Sequence, residues 1–168
     1  MAKLILMCGI PGSGKSTLAK KLFGERDIYV SRDEIRFSMI SDEDEYFSKE
    51  TEVFNEFVRQ IQAGIDNKEK RYVIADATHL NTGSRMKLIN RLTFEFEPDI
   101  SMIFVNTPLE VALERNKQRS GRAVVPDKVI KNMYHSFAAP SKIEPIKEMF
   151  IADENGFINK KYERKGGE

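Results

Sequence analysis

"KLILMCGIPGSGKST", residues 3–17, decides how the rest of the chain is read. Residues Gly9 to Ser16 fit the spacing G-x-x-x-x-G-K-S. An apolar run of strand length precedes the match and a helical pattern follows it, which is the context this loop needs. Gly9, Gly12 and Gly14 permit tight turns and a close approach to phosphate oxygens. The loop N–H groups, those of Gly12, Ser13 and Gly14 among them, then point into one concavity that suits an anion. The positive end of the following helix adds to it. Pro11 has no N–H and only stiffens the loop. Lys15 is placed to reach the β- and γ-phosphates of a nucleoside triphosphate, Ser16 to ligate Mg²⁺, and Thr17 to touch the α-phosphate. The guanine-reading spacing N-K-x-D is absent; "NKQR" at 116–119 has its first two letters only. ATP with Mg²⁺ is therefore the expected donor.

Outward from this loop, apolar runs alternate with helical periodicity, the pattern of an α/β protein with a mostly parallel sheet. Strands are expected at 3–8, 27–30, 71–76, 100–105 and 148–152. Their nearly continuous apolar character fits strands covered on both faces. The gaps carry six helical patterns. They start near Lys15, at the N-cap candidate Ser31, ahead of Val53, ahead of Met86, at Pro108, and at Pro126 in a first turn. No repeat or linker interrupts 1–168, so one domain with a five-stranded central sheet between helical layers is expected. The polar stretch 157–168 reads as a loosely packed tail.

Composition excludes several classes. Hydrophobic residues make up 40% and charged residues 32%, with a net charge of +1. That is an ordinary globular balance, with neither the excess charge of a disordered chain nor a long apolar span for a bilayer. Cys8 is the only cysteine, so no internal disulfide forms. The opening residues lead straight into the glycine loop and read as a core strand, not a signal peptide. The expectation is a cytoplasmic protein with no membrane partner.

Ligands of open α/β sheets bind beyond the carboxyl ends of the strands. The glycine loop, "SRDEIR" (31–36), "DATHLN" (76–81), Asn106 and Thr107 all fall at such ends. If the second strand neighbours the first, Asp33 faces the γ-phosphate. A carboxylate there can take the proton of an attacking hydroxyl. Arg36, three residues on, shares its helical face and suits a two-pronged grip on an acceptor phosphate. A surface helix start with dipole-favoured acids explains the same spacing equally well. Arg32 and Glu34 are expected to point away. Asp76 closes the apolar run "YVIAD" in the position of a Walker-B acid; it binds Mg²⁺ through water, orients Ser16 or caps the next turn. Thr78 and Asn81 are candidates for substrate hydrogen bonds, and His79 reads as a surface or capping residue. In "ERNKQRSGRAVVP" (114–126), Arg115 and Arg119 share a helical face ahead of the break at Ser120 and Gly121. Such arginines suit a lid that neutralises transferring phosphate charge; a solvated basic face is the plainer alternative.

With these residues in hand, the chain resembles the 5′-kinase domain of phage and bacterial polynucleotide kinases, within the zeta-toxin-like P-loop kinases. "GIPGSGKST", "SRDEIRFSM", "DATHLN" and "ERNKQRSGRAVVPDKVIKNMYHSF" carry the likeness, in the family's order. The resemblance implies a three-layer P-loop kinase fold with a helical lid at about 114–126. It implies that Lys15 and Ser16 serve ATP and Mg²⁺, that Asp33 is the base on a 5′-hydroxyl of DNA or RNA, and that Arg36 grips the adjoining phosphate. Arg115 and Arg119 are then lid residues on the ATP phosphates, and the setting is nucleic-acid repair. "SGRAVVP" is one residue longer than the expected spacing, which leaves Arg122 unassigned, and Asp76 falls one position early. No D-x-D-x-T stretch is present, so kinase activity without a 3′-phosphatase is expected.

A small-molecule or nucleoside/nucleotide kinase on the same scaffold is the competing reading. The basic residues Arg36, Arg85, Lys87 and Arg91 favour a nucleic-acid rim. The acidic run "SDEDEYFSKETE" opposes it if it faces the site. A nucleotide binder without catalysis is the third reading, and a carboxylate at Asp33 argues against it.

Overall fold

A computed structural model describes residues 2–163. The strands are β1 (Lys3–Cys8), β2 (Ile28–Ser31), β3 (Tyr72–Asp76), β4 (Ile100–Val105), β5 (Ile146–Ala152) and β6 (Ile158–Glu163). The helices are α1 (Lys15–Leu22), α2 (Arg32–Met39), α3 (Glu50–Asp66), α4 (Thr82–Ile89), α5 (Leu109–Lys117) and α6 (Asp127–His135), with a single 3-10 turn at Gly121–Ala123. They build one sheet in the order β2-β3-β1-β4-β5-β6. Every pairing is parallel except β5 with β6.

Side chains of a strand alternate between faces, and β1 shows the consequence. Leu4, Leu6 and Cys8 enter a core built with α3, α4, α5 and α6. Ile5 and Met7 enter a smaller one under α1. Both faces are covered, so the central strands read as unbroken apolar runs. The longest helix, α3, sends Val53, Phe54, Phe57, Val58, Ile61 and Ile65 into the larger core. Gly64 sits where that helix crosses β3: a Cβ there would lie 2.8 Å from a Val73 methyl.

Two expectations are corrected. The sheet has six strands, because the stretch read as a polar tail folds back as β6 along β5. Its outer edge faces water, so it lacks the apolar run by which the other strands are recognised. Residues 164–168 of that tail lie outside the described residues. The second correction concerns order: β2 pairs with β3, not with β1. Asp33 therefore reaches the glycine loop from one strand further out.

Candidate functional site: a phosphate loop beside an acidic–basic pocket

The site is assembled at the carboxyl edge of β1, β2 and β3. The glycine loop leaves β1 and turns into α1 through two residues in the left-handed region, Gly12 (φ 83°) and Gly14 (φ 91°). At Gly12 a side chain is also excluded by contact, since a Cβ would lie 2.5 Å from the Ala112 carbonyl of α5. Thr107 donates to the Ser13 carbonyl at 2.8 Å, and Arg115 Nη1 approaches the Ser13 carbonyl at 3.3 Å. Arg115 Nη2 donates to the Glu154 carbonyl at 2.8 Å. The arginine thereby staples the loop to the β5–β6 turn. Gly12, Ser13, Gly14, Thr17, Arg115 and Arg119 line one cavity of about 370 Å³ together with that turn. The Ser13 hydroxyl is buried without a hydrogen-bond partner.

A second cavity, of about 200 Å³, lies on the other side of Lys15. Lys15, Asp33, Arg36, Asp76 and Thr78 all line it, so residues from separate stretches of sequence meet there. Ser31 caps α2, its hydroxyl accepting from the Glu34 N–H at 3.2 Å. Asp33 and Arg36, three residues apart on that helix, share the face turned to the cavity. Arg36 is buried and richly bonded. It donates to Asp33 Oδ1 (2.5 Å), to the Tyr46 hydroxyl (3.0 Å) and through Nε and Nη2 to Glu50. Burial works to lower the Arg36 pKa, but Glu50, Tyr46 and Asp33 outweigh it and raise it. Tyr46 also donates to Asp33 Oδ1, at 2.9 Å. Burial and the Asp33 charge push its phenol upward, so it remains a donor.

Asp76 ends β3 beside Met7 of β1. Its Oδ2 accepts from the Tyr29 hydroxyl at 2.5 Å, while its Oδ1 is buried with no hydrogen-bond partner. Burial first, then Asp76, raises the Tyr29 phenol; Ser16 and Ser31 bond it in the opposite sense. Ser16, Tyr29 and Asp76 are thus one polar cluster. An orphaned carboxylate oxygen, linked through Tyr29 to the Ser16 hydroxyl, fits a hard divalent cation, which takes oxygen ligands. Among the described residues no group of three His, Cys, Asp or Glu forms a metal cage, so phosphate and water oxygens would have to complete the shell.

Several sequence expectations are overturned here. Arg32 does not point away: it lines the cavity and donates to Glu50. Glu34 is the exposed one, paired with Lys20. His79 is no surface residue. It is buried at φ 44°, with Nδ1 2.8 Å from the Met7 carbonyl, and burial pulls its pKa to about 4. Asn81 is spent on a capping box with Ser84 at the start of α4. Arg85 is not on a rim. It is fully buried, donating to Glu144 at 2.5 Å and to the His79 carbonyl at 3.0 Å, a latch under the 76–81 loop. Two arginines of the expected lid overturn no expectation: Arg119 is exposed on the wall of the glycine-loop cavity, and Arg122, unassigned from sequence, crosses to the Ile40 carbonyl (2.5 Å) and Asp42 (3.5 Å), tying 114–126 to the end of α2.

Sequence reasoning missed Tyr29, Tyr46, Glu50 and the 154–156 turn. Only the acidic run carried a signal. It does face the cavity, but through Tyr46, Phe47 and Glu50 and not through its leading acids. A roomier apolar groove lined by Phe104, Phe137, Pro140 and Met149 contains none of the candidate residues.

A glycine loop at the head of a parallel sheet, with an acid closing the neighbouring strand, defines a P-loop nucleotide-binding fold. The chain belongs to the family described as an AAA domain, whose profile matches residues 4–140. It is 32% identical over 148 residues to an L-seryl-tRNA(Sec) kinase of Methanococcus maripaludis, covering 82% of this chain and 53% of that protein. It is 28% identical over 159 residues to a bifunctional polynucleotide kinase/RNA ligase, named as putative, of Autographa californica nuclear polyhedrosis virus, covering 84% of this chain and 22% of that protein. A chain of the Pnkp1/Rnl/Hen1 RNA repair complex superposes with a TM-score of 0.64 at 23% identity, over 80% of this chain and 43% of that one. The chain spans about half or less of the length of these curated relatives.

Proposed function

We propose that the protein is an ATP-dependent polynucleotide 5′-hydroxyl kinase, moving the γ-phosphate of ATP to a 5′-hydroxyl end of DNA or RNA. One observation carries the reading: Asp33 and Arg36 line the same cavity as Lys15. A base, an anion grip and the phosphate-loop lysine around one space are what transfer to a phosphate-flanked hydroxyl needs. ATP lies across the glycine loop, with Lys15 on its β- and γ-phosphates and Arg115 and Arg119 beside the chain of phosphates. Ser16 and Asp76 would hold Mg²⁺, which neutralises phosphate charge when bound. Asp33 takes the hydroxyl proton and aligns the oxygen, Arg36 holds the neighbouring phosphate, and Thr78 borders the same space. The lid at 114–126 closes from the side of Arg122.

A second reading has its own support. Arg36 already satisfies two carboxylates, Asp33 and Glu50, and such a pocket also suits an uncharged hydroxyl acceptor, as on a small molecule or an aminoacylated RNA. Incubation with γ-labelled ATP and a panel of acceptors decides between them. The panel holds 5′-hydroxyl DNA and RNA, nucleoside 3′-monophosphates, free nucleosides and seryl-tRNA. Label on oligonucleotides and nucleoside 3′-monophosphates is expected. Label confined to nucleosides or to seryl-tRNA overturns the proposal.

A further inference from the structure

Phe54 of α3 is buried, yet three cations from two separate stretches converge on its ring. Arg32 of α2 lies 5.3 Å from the ring centroid, Lys87 of α4 4.8 Å, and Arg91, just past α4, 5.8 Å. Arg32 is also joined to the acceptor pocket, since Glu50 accepts from both Arg32 and Arg36. Arg36, Arg32, Lys87 and Arg91 therefore form one row, its first two members bridged by Glu50 and its last three gathered on the Phe54 ring. Lys87 and Arg91 are exposed. Among the described residues neither forms an ion pair, and Arg91 has only the Asn55 amide oxygen, at 3.3 Å. Arg32 Nε is buried without a hydrogen-bond partner. Among the described residues Lys87 and Arg91 carry no counter-charge and Arg32 shares the Glu50 carboxylate with Arg36, so the attraction of the ring only partly offsets the mutual repulsion of the three cations. Alkyl stems that merely shield a ring need no such convergence of charge.

We infer that Arg32, Lys87 and Arg91 form a track for the phosphodiester backbone of the acceptor strand, continuing from the first phosphate held at Arg36. The occupant is single-stranded nucleic acid at least several nucleotides long, bound through its phosphates and not its bases. This rests on the kinase reading above and deepens it, since a small-molecule acceptor would never reach Lys87 or Arg91.

The test uses Lys87→Gln/Arg91→Gln, which removes both charges but keeps long side chains over Phe54, with Lys87→Arg/Arg91→Lys as the charge-preserving control. Two quantities are read. One is the ratio of KM for a nucleoside 3′-monophosphate to KM for a ten-nucleotide 5′-hydroxyl oligonucleotide. The other is the salt dependence of binding of that oligonucleotide, by fluorescence anisotropy. Each phosphate neutralised contributes about 0.7 to the slope of log affinity against log salt for single strands. The Gln variant is expected to lower that slope by about 1.4 and to shrink the KM ratio, and the swapped variant to restore both. An unchanged slope and ratio in the Gln variant overturn the track while leaving the kinase reading standing. If the wild type phosphorylates no nucleic acid, the kinase reading fails, and the anisotropy slope still decides whether the cations hold a strand.

Discussion

The phosphate loop and the proposed acceptor pocket are neighbours built by opposite means. The loop is made of backbone. Its shape is set by positive φ at Gly12 and Gly14, by the approach of α5 at Gly12, and by carbonyls pinned from Thr107 and Arg115. The pocket is made of side chains held by one another, with Arg36 at the hub of Asp33, Tyr46 and Glu50. Backbone sites arise from consecutive residues and suffer from any added atom. Side-chain networks arise from distant residues and can yield one member at a time. One region should therefore fail outright when altered, and the other by degrees.

The largest expected effect is nonetheless in the pocket, at the one group proposed for the chemical step. Asp33→Asn keeps the size and much of the bonding to Tyr46 but cannot take a proton. Turnover should fall by about 10²–10⁴-fold, with ATP affinity little changed. Near-normal turnover in steady-state assays would remove Asp33 from the chemistry. Lys15→Ala comes next. Removing one preorganised charge on the transferring group should cost about 10²–10³-fold in turnover, with thermal stability retained. Turnover within a fewfold of wild type would show that the backbone nest alone suffices. Arg36→Ala should act mainly on the acceptor. Losing hydrogen bonds to a charged group costs about 1.5–3 kcal/mol, which is roughly ten- to hundredfold in KM for a nucleoside 3′-monophosphate and much less for the plain nucleoside. Equal losses on both acceptors would make Arg36 a brace for Asp33 only.

The contrast also explains what could be read in advance. The glycine loop was legible because its residues are consecutive and their conformational demands are visible in residue type. The five parallel strands were legible from their apolar runs, most nearly continuous in β1, β3 and β4, where burial on both faces writes them. Asp33 and Arg36 were legible as candidates, since helical spacing puts them on one face. Glu50, which completes their network, was not, because nothing local ties the first turn of α3 to α2. Arg85 was misread for the same reason: its partner Glu144 lies 59 residues away, and an arginine on a polar helix looks solvent-facing until that partner is known. β6 escaped because an edge strand need not be apolar, and the order β2-β3-β1 follows from crossovers that no single stretch encodes.

His79 is buried behind the site, bonded to the Met7 carbonyl near the end of β1 and one residue past Thr78 of the pocket. Its ring is held neutral by burial, at a pKa of about 4 against an ordinary 6.5. The unfolded chain binds a proton that the folded chain refuses between those values. Stability from this group is complete above about pH 6.5 and declines as pH falls towards 4, with a slope approaching 1.4 kcal/mol per pH unit. Chemical denaturation at pH 7, 6 and 5 should show that decline, and His79→Asn, whose side chain tolerates positive φ, should flatten it. An unchanged slope in the variant would place the acid sensitivity elsewhere.

The smallest effect distinguishes a pocket that waits for its acceptor from one that resists it. The Tyr46 hydroxyl donates to Asp33 and accepts from Arg36, two roles that the proposed acceptor would itself need. Its phenol is pushed upward by burial and by Asp33, so it does not ionise to vacate the place. An incoming hydroxyl must then displace it, at the cost of a hydrogen bond worth about 0.5–1.5 kcal/mol net. Tyr46→Phe keeps the ring that lies 4.5 Å from the Arg36 guanidinium and removes only the hydroxyl. The acceptor KM should fall by about two- to tenfold, corresponding to that same range, while turnover and ATP affinity stay near wild type. The opposite outcome, a raised KM with unchanged turnover, would mean that the hydroxyl steadies Asp33 and Arg36 for the acceptor instead of standing in its place. The side-chain network would then be held to one geometry as firmly as the backbone loop beside it.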